Sequence, residues 1–175
     1  MVGKPENKNY LTSPREYSTF DIIKVLNIDR ERLREWINRG FIKPSQPAQG
    51  QGTKAVFTKI DVYGIALFQN FIESGFSRET ASLYVQKFIK EEKRMKSETK
   101  VIVFRLSTET IQFSQLDSNS SIKNLDLRTG TLVAPMSRAE KREFLPEDLD
   151  DWDRVYIVNF EKIRKKVDAA LADKL

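Results

Sequence analysis

Two short helical patterns separated by a break of three residues, Asn27-Ile28-Asp29, constrain this chain more than any other feature of its sequence. In the first pattern Ser18 stands where a side-chain cap belongs. Asp21, three residues on, can reach back to it, which predicts a helix with Phe20, Ile23 and Leu26 on one face. Asparagine tolerates the left-handed backbone of a tight helix end, so Asn27 is the predicted stop. Ile28 can anchor the turn to a core, and Asp29 caps a second helix over 30–39 that Gly40 terminates. Two short helices joined in this way make a helix-turn-helix candidate.

At 100° per residue, Leu33, Trp36 and Ile37 of the second helix cluster on one side, while Glu31, Arg34, Glu35 and Asn38 point the opposite way. Arg30 lies on one flank of the polar face, and Arg32 and Arg39 on the other. Such a face suits a DNA major groove: Arg34 can donate to guanine, either glutamate can accept from cytosine, and the flanking arginines reach phosphates. The competing reading is a solvated helix on which Glu35 and Arg39, four residues apart, form a surface ion pair of a few tenths of a kcal/mol.

The residues after the second helix bear on that choice. Gly40-Phe41-Ile42-Lys43-Pro44 leads into a stretch with one more proline and two glycines, and then into Ala55-Val56-Phe57. This predicts a β-hairpin with a long tip, its stems being Phe41/Ile42 and Val56/Phe57. A hairpin directly after a recognition helix is a wing, and Lys43, Thr53 and Lys54 are its candidate contacts to the DNA backbone. Thr58 and Asp61 then repeat the capping pattern and open a broadly apolar core helix closed by Gly75. Ser77 caps a long helix carrying Ala81, Leu83, Tyr84, Val85, Phe88 and Ile89.

Charge is distributed in keeping with a polyanion partner. Of the formal net charge of +5, residues 1–100 hold 18 Lys and Arg against 12 Asp and Glu, a net of +6; residues 101–175 hold 12 against 13, a net of −1. Basic side chains laid against phosphates release condensed counterions, so the first half is where DNA is to be sought.

The missing residue types exclude as much. With no cysteine and no histidine, disulfides, thiolate or imidazole metal sites and the nucleophiles and proton shuttles built on them are ruled out. No phosphate-cradling glycine loop and no paired-acid motif is present, so the sequence offers no enzyme, metal or cofactor reading. No apolar run approaches the roughly 20 residues that span a bilayer. The polar start, read as a flexible arm over 1–16, lacks an export signal's apolar stretch and predicts a cytoplasmic protein without a membrane partner.

The residues 17–90 resemble the DNA-binding domain of the MerR family of transcriptional regulators. The resemblance rests on Leu33-Arg34 followed by Trp36, on Gly40-Phe41-Ile42-Lys43-Pro44, on Phe57-Thr58 with Asp61, and on Glu73-Ser74-Gly75-Phe76-Ser77. Ala55 stands where the family usually places an arginine, the loop around Gly50-Gln51-Gly52 is longer than the usual form, and Glu35 replaces a common aromatic. The resemblance implies a winged helix-turn-helix that binds pseudo-palindromic double-stranded DNA as a homodimer, with RNA polymerase as a further partner. Because such proteins distort promoter DNA, indirect readout would matter alongside base contacts.

Beyond the linker helix the pattern changes. Val101-Ile102-Val103-Phe104 reads as a buried strand and Ile111-Gln112-Phe113-Ser114-Gln115-Leu116 as an alternating one. Segments at Leu125/Leu127 and Leu132/Val133 come next, then an acidic surface loop over 146–153, then a strand at Val155-Tyr156-Ile157-Val158. Asn159 can cap a last helix whose stripe of Phe160, Ile163, Val167, Ala170 and Leu171 seals the sheet or pairs with a second copy. Phe104, Phe113, Phe144, Trp152 and Tyr156 suit either a core or the wall of a small-molecule effector pocket.

The predicted fold class is α+β: an arm over 1–16, a winged helix-turn-helix with its following helix over 17–98, and a small, mostly antiparallel α+β domain over 99–175 for dimerisation or effector binding. The predicted function is sequence-specific transcriptional regulation. An architectural or excisionase-like DNA-bending protein, and a protein-protein adaptor built on the same domain, are the alternatives.

Overall fold

The computed structural model describes residues 15–50, 53–91, 95, 99, 101–106, 111–116, 132–133 and 154–174. Most of the predicted arm, the Leu125/Leu127 segment and the acidic stretch over 146–153 lie outside the described residues. The chain opens with strand β1 (Tyr17–Ser18) and helices α1 (Thr19–Leu26) and α2 (Arg30–Asn38). Strand β2 (Val56–Phe57) and helices α3 (Lys59–Glu73) and α4 (Arg78–Lys90) come next. Strands β3 (Val101–Leu106), β4 (Ile111–Leu116), β5 (Leu132–Val133) and β6 (Arg154–Asn159) precede helix α5 (Phe160–Lys174). The architecture is α+β: helices packed on a four-stranded antiparallel sheet of order β4-β3-β6-β5, with a second sheet of two strands, β1 and β2.

Local chemistry sets most boundaries. The Ser18 hydroxyl accepts from the Asp21 backbone N–H while the Asp21 carboxylate takes the Ser18 N–H at 2.7 Å, satisfying two of the donors a helix start leaves open. Asn27 ends α1 in the left-handed region, at φ 52°. Asp29 accepts from the Arg32 N–H at 3.0 Å and starts α2. Gly75, at φ +88°, makes the turn between α3 and α4, a conformation in which any Cβ would be strained. Ser77 caps α4, and Asn159 accepts from the Lys162 N–H to cap α5.

Two sequence expectations are corrected. The buried face of α1 is Ile22, Val25 and Leu26; Phe20 is 66% exposed and Ile23 only partly covered. An eight-residue helix with apolar residues at 20, 22, 23, 25 and 26 does not declare its inner face by spacing alone, and here the core rotates it by one residue. The predicted hairpin stems do not pair either. Val56–Phe57 bonds instead with Tyr17–Ser18, in antiparallel register Tyr17 to Phe57, and meets the incoming loop at a bridge to Gln46. Phe41 and Ile42 are held at the end of α2 by N–H bonds to the Trp36 carbonyl, at 2.9 and 3.2 Å, which leaves them unavailable to a strand.

One apolar core runs through both halves. Phe71, Phe76 and Tyr84 from the α3–α4 region close on Phe104 of β3 and Tyr156 of β6, with ring centroids 4.8 Å apart for Phe76–Tyr156 and 5.1 Å for Tyr84–Phe104. Phe104 and Tyr156 are therefore core residues; the side chains of Phe113, Phe144 and Trp152 lie outside the described residues. The stripe on α5 is buried at Phe160, Ile163, Val167 and Leu171, as its spacing predicts. It packs against α1 and α3 and, on the sheet, against β3.

The seam between α3 and α5 carries a polar bond. The buried Tyr63 hydroxyl donates to the Asp168 carboxylate at 2.6 Å, and Lys59 reaches the same oxygen at 2.9 Å. Burial, reinforced by that hydrogen bond, holds the Tyr63 phenol well above its ordinary pKa. Because the folded value is the higher one, the contribution is complete below the unfolded tyrosine value of about 10 and declines as pH rises through it. In urea melts, wild type is expected to lose stability above about pH 10 more steeply than Tyr63→Phe does. Parallel pH profiles for the two would show that Tyr63 contributes nothing by this route.

Candidate nucleic-acid interface

The inner side of α2 is fixed by two residues: Leu33 is fully buried, and Trp36, 2% exposed, sets its ring edge-on to Phe68 of α3 at 4.9 Å between centroids. With that side committed to the core, the rotation of the helix is determined and its other side faces solvent. The side chains of Arg34 and Arg39 are 70% and 61% exposed, and Arg30, Glu31, Arg32 and Asn38 are exposed as well. Glu31, Arg34, Glu35, Asn38 and Arg39 together line a shallow, open concavity.

Glu35 is not free on this face. Its Oε1 accepts from Arg78, the first residue of α4, at 3.0 Å and forms an ion pair with Arg39 at 3.2 Å. Each half-exposed pair contributes little to stability, about 0–1 kcal/mol after solvent screening. The arrangement acts through geometry: one carboxylate holds two guanidinium groups from different helices side by side. Sequence reasoning weighed Glu35 as a base contact or as the ion-pair partner of Arg39, the pairing seen here, and missed Arg78 altogether, because Glu35 and Arg78 are 43 positions apart and nothing local links them. Glu31 lies 3.8 Å from Arg34, a loose contact that leaves the arginine able to swing out.

The loop between α2 and β2 is tethered at both ends. Where it leaves α2, the Ser82 hydroxyl of α4 donates to the Phe41 carbonyl at 2.8 Å. Where it returns, the buried Asp61 carboxylate gathers donors from both arms of the loop: the Thr58 N–H at 2.7 Å, the Thr58 hydroxyl at 3.0 Å, and the N–H and hydroxyl of Ser45. Farther out, the Thr53 hydroxyl donates to the Gly50 carbonyl at 2.8 Å and takes the Gly50 N–H at 3.0 Å. Lys43, Thr53 and Lys54 are all exposed on this loop, and Ala55 is half-buried.

The face formed by α2, the loop and the start of α4 thus carries Arg30, Arg32, Arg34, Arg39, Lys43, Lys54 and Arg78 against the acidic Glu31 and Glu35. Exposed guanidinium groups on a helix held rigidly from behind are the chemistry that binds phosphates and reads guanine edges. Among the described residues no cluster of acidic side chains is arranged to hold a metal ion, and no helix is long and apolar enough to cross a membrane.

Comparison with known proteins agrees with this geometry. The family model of the MerR HTH family regulatory proteins matches residues 17–87, the stretch from β1 into the last turn of α4. No curated protein matches the chain significantly. The matched stretch contains both helices of the turn, the tethered loop and the α3–α4 pair, so residues 17–87 are a helix-turn-helix segment of the MerR family.

Proposed function

We propose that this chain is a DNA-binding transcriptional regulator in which α2 enters the major groove and the loop between α2 and β2 lies on the phosphate backbone as a wing. The observation that carries the reading is the orientation of α2: tryptophan and leucine inward, arginines outward. Arg34, on the exposed face with Asn38, reads bases; Arg30, Arg32 and Arg39 serve the flanks, and Glu31 accepts from cytosine. Lys43, Thr53 and Lys54 contact backbone. Glu35 positions Arg39 and Arg78 on either side of itself. The protein acts as a homodimer on a pseudo-palindromic promoter site where RNA polymerase also binds, with residues 99–175 serving dimerisation or effector response.

The test separates base readout from phosphate binding. Arg34→Ala is expected to cost about 1–3 kcal/mol on the selected site and little on random duplex, whereas Lys43→Ala and Lys54→Ala weaken both alike. Each lysine removed should also lower the salt slope, by about 0.9 log units per log salt for every phosphate it had neutralised. Titration of a duplex selected from a random pool, at several salt concentrations, reads both quantities. Equal losses for Arg34→Ala on selected and random duplex would reject base readout, and indifference to every duplex at low salt would reject the function.

A further inference from the structure

The α5 seam is closed at one end and open at the other. Near Asp168 it is held by the Tyr63 and Lys59 contacts; toward the start of α5 it widens into a cleft of about 130 Å³ between α1, α3 and α5. The floor is apolar and includes Leu26 of α1 and Val167 of α5, both buried. The rim is charged with both signs: Glu73 from α3, and Lys162 and Lys166 from α5. Among the described residues none of these three charges has an ion-pair partner, although all line the same small cleft. On its wall sits Asn70, whose buried amide oxygen has no hydrogen-bond partner among the described residues.

Opposite charges that share a cleft without meeting, over an apolar floor, are complementary to a molecule bearing both charges and a hydrocarbon body. We propose that this cleft binds a small aliphatic zwitterion, of the class of the branched aliphatic α-amino acids. The lysines take the carboxylate, Glu73 and the Asn70 amide take the ammonium, and the side chain lies on Leu26 and Val167. The size is right: an apolar protein cavity of about 150 Å³ accepts a benzene-sized body. Leu26 is the last residue of α1, and only Asn27, Ile28 and Asp29 separate it from α2. An occupant therefore touches the helix that orients the proposed recognition helix. That coupling rests on the DNA-binding reading; the binding site does not.

Four probes, each titrated into the full chain without DNA by calorimetry, isolate the three features. L-Leucine has all of them, 4-methylpentanoate lacks the ammonium, 3-methylbutylamine lacks the carboxylate, and glycine lacks the hydrocarbon. Leucine is expected to bind at least about ten-fold more tightly than each of the others. Glu73→Gln should abolish its advantage over 4-methylpentanoate, and the double variant Lys162→Gln/Lys166→Gln its advantage over 3-methylbutylamine. These three side chains are exposed, so the melting temperature should be unchanged in every variant. Glycine or a singly charged analogue matching leucine, or no leucine binding tighter than about 10 mM, would overturn the site. So would a lysine double variant that binds leucine normally but loses affinity for duplex, since the lysines would then belong to a nucleic-acid surface. Because binding is read on the chain alone, failure of DNA binding in a separate titration would refute the proposed function and leave this result standing.

Discussion

Trp36→Ala is expected to lower the stability of the chain by about 3–5 kcal/mol, the usual cost of emptying a buried aromatic site. In a chain of this size that is a fall in Tm of roughly 10 °C or more. The loss would be one of packing. The Trp36 indole N–H has no hydrogen-bond partner among the described residues, so removing it strands no acceptor. The substitution deletes the edge-on contact with Phe68 at 4.9 Å and the packing surface of a residue 2% exposed. Trp36→Phe keeps an aromatic edge in place and should cost much less, about 1–1.5 kcal/mol. Thermal melts of the three proteins decide the matter. An unchanged Tm for Trp36→Ala would mean that α2 does not turn this face inward, and the exposure of Arg34 and Arg39 would lose its structural basis.

That dependence also shows which parts of the fold were legible beforehand. The caps at Ser18, Asp29, Thr58, Ser77 and Asn159 and the left-handed stop at Asn27 could be read because each is decided within three or four residues. The rotation of α2 could be read because Leu33 and Trp36 are its large apolar residues and everything opposite them is polar or charged. The rotation of α1 could not: apolar side chains surround it, and only packing against the rest of the core, α5 above all, selects Ile22 and Val25 over Phe20 and Ile23. Strand pairing failed for the same reason. Val56–Phe57 has the composition of a hairpin stem, but its partner Tyr17–Ser18 lies far back in the chain, before α1, where no turn signal points to it. In the site, each arginine of α2 was found from helical spacing, whereas Arg78 reaches Glu35 only because α3 brings the start of α4 back beside α2.

The largest effect on the loop is expected from Asp61→Ala. Asp61 is 4% exposed, and its carboxylate accepts from Thr58 and Ser45 through both backbone N–H groups and both hydroxyls. One side chain thereby caps α3 and fastens the outgoing arm of the loop to its returning arm. Bonds to a charged group contribute about 1.5–3 kcal/mol each, and part-buried donors left empty add their desolvation cost. Against this, the hydroxyls can turn to water. A net loss of about 3 kcal/mol is the expected balance. Ser45→Ala removes only the hydroxyl arm and should cost about 1 kcal/mol. If the two residues act through each other, the double variant will be less destabilised than the sum of the single ones, by about 0.5–1 kcal/mol. Amide hydrogen exchange over 43–56 should quicken in Asp61→Ala while the turn at 27–29 keeps its protection, because the tether holds the loop and not the helix pair. On the proposed function, duplex affinity would then drop for selected and random sequences alike, as for Lys43→Ala, since a loosened loop grips the phosphate backbone less firmly while α2 still reads bases. Additive melts together with unaltered exchange over 43–56 would show that Asp61 is an ordinary helix cap and that the loop owes its position to the Ser82 bond and the Gln46–Val56 bridge.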